Sequence, residues 1–130
     1  MSYTIFILFR NNPELRLLHL DRASYRGIEA ARNVYSRYRM EPPFNAALHR
    51  RMLEIEREES KVDLGQARSV LASLCDQFGD QDTLCWLEAA KLEIDAGKPL
   101  EAAQLLARGE ATLNPEVRGK FAVLRDKMGL

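Results

Sequence analysis

A three-part pattern recurs along this chain at intervals close to 36 residues. Its landmark is a small residue followed by a polar one: Ala31-Arg32, Ala67-Arg68 and Ala103-Gln104, each pair 36 residues after the last. An acid precedes each pair, about one helical turn before a predicted inter-helix loop: Asp21, Glu56 and Glu93, spaced by 35 and 37 residues. A fixed period between about 20 and 50 residues is what stacked repeat units produce, because one small unit cannot bury its apolar face alone. The expected fold is therefore all-α: a right-handed α-solenoid of three helix hairpins and a C-terminal capping helix. Arrays of that kind present extended concave surfaces, so binding is the expected role.

Local signals mark out the units. Asn12-Pro13 places a capping residue and then a proline where a helix begins. Gly27 marks a turn, and a second helix follows with Ala31, Val34, Tyr35 and Tyr38 at i, i+3, i+4 and i+7. Pro42-Pro43 ends that unit. The next helix is expected from about Asn45 to Glu59, with Leu48, Met52 and Ile55 inward. Its partner starts at Asp63, with Gln66 in the place of a capping-box residue, and carries Ala67, Val70, Leu71 and Leu74. Gly79 reads as a glycine past a helix end. The third unit runs from Asp82-Thr83 through Trp86, Ala89 and Ala90 to Gly97, then from Pro99 through Ala103, Leu106 and Ala107. At its fourth matched position stands Glu110, so this repeat is expected to be weaker at one end. Asn114-Pro115 opens the last helix, with Val117, Phe121, Leu124 and Met128 on one face. The expected division of a single domain, 1–130, is repeat 1 at 11–41, repeat 2 at 44–79, repeat 3 at 82–113 and the cap at 114–128. Residues 3–10 read as the remnant of an upstream helix, with a strand as the alternative, so the chain is expected to begin in mid-array.

Composition narrows the function. Basic and acidic residues number 19 each, for a net charge of zero, which argues against a protein whose main task is gripping phosphate backbones. The charge is uneven: 12 basic and 9 acidic residues lie in 1–68, against 7 and 10 in 69–130. Cys75 and Cys85 lack metal-ligand spacing and read as small packed side chains, as in a reducing compartment. The apolar run 3–9 is too short to cross a bilayer, which takes about 20 residues.

The repeated acids are expected to pair across their own hairpins, Asp21 with Arg32 and Glu56 with Arg68, with Glu93 and Gln104 replacing the ion pair by a hydrogen bond. The alanines let two helices approach closely. Arg22, Arg26, Arg32, Arg37, Arg39, Arg50, Arg51 and Arg57 all fall in the first half, with Tyr25, Tyr35 and Tyr38 interleaved. Arginines interleaved with aromatics bind RNA through phosphates and stacked bases. That gives an alternative reading, in which Arg50, Arg51 and Arg57 are the candidate contacts with RNA or a partner. Tyr35 and Tyr38 sit at core spacing. His19, His49 and Trp86 are expected to be structural. No cofactor, metal site or catalytic residue set is expected, and the chain does not read as an enzyme.

An aromatic, an acid seven residues later and then Ala-Arg on the following helix resembles the half-a-TPR (HAT) repeat. Trp86, Glu93 and Ala103 show it best. His49, Glu56 and Ala67-Arg68 follow with His in the aromatic place, and Glu14, Asp21 and Ala31-Arg32 with Glu there. The resemblance covers about residues 14–113. Within this family, Phe44-Asn45-Ala46-Ala47-Leu48-His49 and Phe78-Gly79-Asp80, continuing to Leu84-Cys85-Trp86, are similar to HAT proteins of the U3 small nucleolar ribonucleoprotein. That resemblance implies a non-catalytic scaffold of the small-subunit processome. It would act in pre-18S rRNA processing and ribosome biogenesis in the nucleolus, through contacts with other proteins of the assembly. RNA contact would be indirect, and a homodimer is compatible with it. A TPR-type peptide-binding adaptor in another RNA-processing complex is the further alternative.

Overall fold

The computed structural model describes residues 10–130, and among these the regular structure is entirely helical. Seven helices follow one another: α1 Pro13–Ser24, α2 Ile28–Tyr38, α3 Ala46–Arg57, α4 Leu64–Phe78, α5 Thr83–Asp95, α6 Pro99–Thr112 and α7 Pro115–Lys127. The helix expected over 3–10 lies, apart from Arg10, outside the described residues. The chain divides into two compact units, the first ending at Ser73 and the second spanning Leu74–Leu130. The division falls inside α4 and inside the second expected repeat.

The helix starts are set by local chemistry. Asn12 Oδ1 accepts from the Leu15 N–H at 3.0 Å, Asn45 Oδ1 from Ala47 at 3.0 Å, and Asp63 Oδ1 from Gln66 at 3.1 Å. Asp82 Oδ1 takes two such donors, from Leu84 and Cys85. Each satisfies amides that have no partner within the helix. Asn114 departs from the expected pattern, because its side chain makes no capping bond. Its own N–H instead donates to the Asp80 carbonyl at 2.8 Å, tying the start of α7 to the α4–α5 connection. Gly27 enters α2 at φ 124°, a conformation that side chains with a Cβ rarely adopt.

In the first unit α1 packs on both α2 and α3, and α2 also packs on α3. Its core includes Leu20, Ala23, Ala31, Val34, Tyr35, Tyr38, Leu48, Met52 and Leu53. In the second unit α5 packs on α6 and on α7, with Cys85, Trp86, Leu87, Ala90, Leu106, Leu113 and Phe121 buried. On α7 only Phe121 is fully buried; Val117 and Leu124 are half-buried and Met128 is exposed.

Burial moves the repeat register in two places. On the first helices of the hairpins the inward sets are Arg16, His19, Leu20 and Ala23; then His49, Met52, Leu53 and Glu56; then Trp86, Ala89, Ala90 and Glu93. The first unit's counterpart of His49 and Trp86 is therefore buried Arg16 and not the exposed Glu14, and the acid's place is taken by Ala23 and not by Asp21. On the second helices Ala31 and Ala67 are matched by Ala102, which is buried, whereas Ala103 and Gln104 are exposed. The expected landmark Ala103-Gln104 is thus one residue out of step. In the corrected register Leu106 follows Tyr35 and Leu71, and Gly109 follows Tyr38 and Leu74, so Glu110 no longer interrupts the inner face.

The cause is Trp86. Its ring lies against Gly109 so closely that a Cβ there would come within 2.6 Å of the indole. A Cβ at Gly79 would also come within 2.6 Å of the indole, and the Gly79 carbonyl accepts the indole N–H at 2.9 Å. Gly79 has no positive φ, so it leaves space for the tryptophan and the Cys75 carbonyl and is not a left-handed helix cap.

Candidate interaction site

The polar chemistry of the first unit is concentrated on α2 and its neighbours. Arg32 reaches the carboxylate of Glu56 with two bonds of 2.8 Å, from Nε to Oε2 and from NH2 to Oε1. Glu56 is wholly buried, and this forked pair joins α2 to α3. Arg32 also contacts Glu29 at 3.2 Å. The bond to Glu56, and then the charges of Glu56 and Glu29, hold the guanidinium pKa well above its ordinary value despite partial burial.

This corrects the expected pairing. Arg32 pairs with Glu56 of the following hairpin, and Asp21 pairs with Arg51 of α3. The reason is that α1 lies beside α3 as well as α2, so a carboxylate on α1 meets the next hairpin. Arg51 also contacts Glu54 at 3.0 Å and Glu58 at 3.8 Å. Hydrogen bonding to Asp21 raises the Arg51 pKa. A guanidinium shared among three carboxylates is an internal tie, at one of the positions expected to contact RNA or a partner. Arg50 is half-buried, Arg57 is exposed and Arg68 is half-buried. In the second unit Glu93 is buried while Gln104 faces outward on α6.

Two similar stacks stand side by side in the first unit. His19 Nδ1 is hydrogen-bonded to the Tyr38 hydroxyl at 2.7 Å, and His49 Nδ1 to the Tyr35 hydroxyl at 2.7 Å. Both ring pairs meet edge-on at 5.6 Å. A guanidinium covers each tyrosine at 4.9 Å, Arg16 over Tyr38 and Arg39 over Tyr35. Burial pushes both phenols up to about 12. It also lowers the His19 pKa, with help from the charge of Arg26, and lowers that of Arg16.

The two arginines hold different things. Arg16 donates to three successive carbonyls, Glu41 at 2.7 Å, Pro42 at 3.0 Å and Pro43 at 3.1 Å, while its Nε is buried without a partner. Arg39 donates to the carbonyl and hydroxyl of Ser69 and to the hydroxyl of Ser73, tying α2 to α4. Sequence reasoning missed both arrangements. The available signal was spacing: Arg16 stands three and four residues before His19 and Leu20, on their face.

Beside these ties lies an open groove of about 480 Å³ on α2, α3 and α4. Arg32 and Glu56 form part of its wall, with Arg39, Asn33, Ser36 and Gln66 as further polar groups. Arg32 and Arg39 balance Glu29 and Glu56, so the lining has no net charge. Such a surface offers hydrogen bonds to an extended polar segment and no charge field for a polyanion.

In the second unit Arg108 lies over the Trp86 ring at 5.4 Å. Both cysteines are buried and neither forms a disulfide. Among the described residues no group of three or more His, Cys, Asp and Glu side chains is placed to hold a metal ion, and no helix is long and apolar enough to cross a membrane.

By fold and site the described residues form a helical protein whose buried charges and rings tie helices together beside an open polar groove. The chain belongs to the family described as U3 small nucleolar RNA-associated protein 6 C-terminal, whose model matches residues 11–113. It is 27% identical over 97 residues to the U3 small nucleolar RNA-associated protein 6 homolog of Homo sapiens. That alignment takes in 73% of this chain and 16% of the human protein, so the chain matches a small part of its relative's length.

Proposed function

We propose that this chain is a non-catalytic, solenoid-type helical-repeat scaffold of the small-subunit processome. It acts in pre-18S rRNA processing and ribosome biogenesis, in the nucleolus. The observation that carries the reading is family membership across residues 11–113. The geometry supports it: the buried ionic and aromatic groups of the first unit connect helices, which is what a rigid holder needs. Contacts with other proteins of the particle are assigned to the neutral polar groove on α2–α4, which suits an extended peptide segment.

Immunoprecipitation of the tagged protein from growing cells tests the particle assignment. U3 small nucleolar RNA and processome proteins are the expected co-purifying species, and depletion is expected to accumulate unprocessed pre-18S rRNA. A pull-down without U3 RNA overturns the assignment. Asn33→Arg with Ser36→Arg fills the groove from two exposed positions. This variant is expected to lose individual protein partners while keeping its helicity.

A further inference from the structure

We propose that the end of α1 is a contact for single-stranded RNA, in which Tyr25 stacks on an unpaired base and Arg22 and Arg26 hold the flanking phosphates. The choice of RNA rests on the particle reading above; the surface itself is argued from the residues.

Tyr25 is the C-cap of α1 and keeps helical backbone angles, φ −68° and ψ −19°. Arg22 is therefore the i−3 neighbour of Tyr25 and the i−4 neighbour of Arg26 at the helix end. Tyr25 is 89% exposed, in contrast to Tyr35 and Tyr38 at 3% and 2%. A ring left this far out in water gains nothing from packing, so its π-face is available. Both arginines are exposed, and neither guanidinium meets a carboxylate among the described residues. The acids nearest in sequence are committed elsewhere, Asp21 to Arg51 and Glu29 to Arg32.

Two exposed guanidiniums beside an exposed ring complement a stacked base and its neighbouring phosphates. Stacking accepts any base, and guanidiniums bind phosphate oxygens in a fork. A tyrosine that anchors a protein partner is instead ringed by packed contacts that exclude water. Here the same face offers Arg22, Arg26 and, a turn further back, half-exposed Leu18, which is too little apolar surface for such an anchor. The contact differs from the one expected at Arg50, Arg51 and Arg57, because Arg51 is occupied by three carboxylates.

The test is fluorescence anisotropy of a short labelled oligouridine titrated with the whole chain at several salt concentrations. Tyr25→Ala is expected to weaken binding about 5- to 100-fold, and Tyr25→Phe to preserve it. Arg22→Gln with Arg26→Gln is expected to reduce the salt slope by about 1.4, the loss of two single-strand phosphate contacts. All three side chains are exposed, so circular dichroism is expected to be unchanged in every variant. Absence of binding at low salt, or binding indifferent to Tyr25→Ala, overturns the proposal. So does an oligoglutamate peptide that binds with equal strength and the same dependence on Tyr25, which would make this a protein-docking surface. The measurement uses purified components, so its failure leaves the particle assignment standing. Failure of the U3 pull-down likewise leaves an oligonucleotide result intact.

Discussion

Gly109 occupies a position where the two preceding repeats carry Tyr38 and Leu74, and the indole of Trp86 fills the space that those side chains take. Gly109→Ala places a methyl group 2.6 Å from a rigid ring held by its bond to Gly79. The expected cost is about 1–3 kcal/mol, the usual penalty for overpacking, read as a lower midpoint in urea unfolding. Glu56 gives a larger effect. Its carboxylate is wholly buried and forked onto Arg32, so Glu56→Ala leaves a guanidinium without its main acceptor. Loss of roughly 3 kcal/mol is expected, with a smaller loss for the Arg32→Ala, Glu56→Ala double variant than the sum of the two singles. Neither partner choice was legible in the chain. The acid and the arginine could be picked out by their spacing, but which arginine meets which acid depends on α1 and α2 both lying against α3, and local pattern carries no information on that.

At the scale of the helix, the signals that act within a few residues were readable. Asn12, Asn45, Asp63 and Asp82 cap the helices they precede, because a side-chain oxygen and an amide two or three residues on need nothing further to meet. The rotation of α6 was not readable. Leu100, Ala102, Ala103, Leu106 and Ala107 support two apolar faces, and the sequence alone favours the one in step with Ala67. Trp86 decides otherwise, since the second face brings Gly109 beneath the ring. Paired substitutions expose this choice. Ala102→Leu is expected to destabilise by about 1–3 kcal/mol, while Ala103→Leu, on the exposed face, is expected to stay within about 0.5 kcal/mol. Equal effects would restore the 36-residue register.

At the scale of the molecule, the buried histidine and phenols bound the pH range of the fold. Burial and the charge of Arg26 hold His19 below its ordinary 6.5, so the unfolded chain takes up a proton more readily than the folded one. The His19 contribution is complete above pH 6.5 and declines as the pH falls below that value. Tyr35 and Tyr38 act at the other limit. Their pKa rises from 10.0 to about 12 on burial, so their contribution is complete below pH 10 and is lost as the pH rises toward 12. Thermal unfolding across pH is expected to show both limbs, with His19→Gln flattening the acid one. Tyr35→Phe with Tyr38→Phe is expected to flatten the alkaline one.

Arg16 carries a consequence of a different kind. It holds the α2–α3 connection through the carbonyls of Glu41, Pro42 and Pro43, groups that every amino acid possesses. Such a grip is blind to spelling and strict about distance. Related chains are free to change the side chains at these three positions, whereas a residue inserted or removed there would slide the carbonyls out of reach. One guanidinium thus works as a length gauge for the link between successive hairpins.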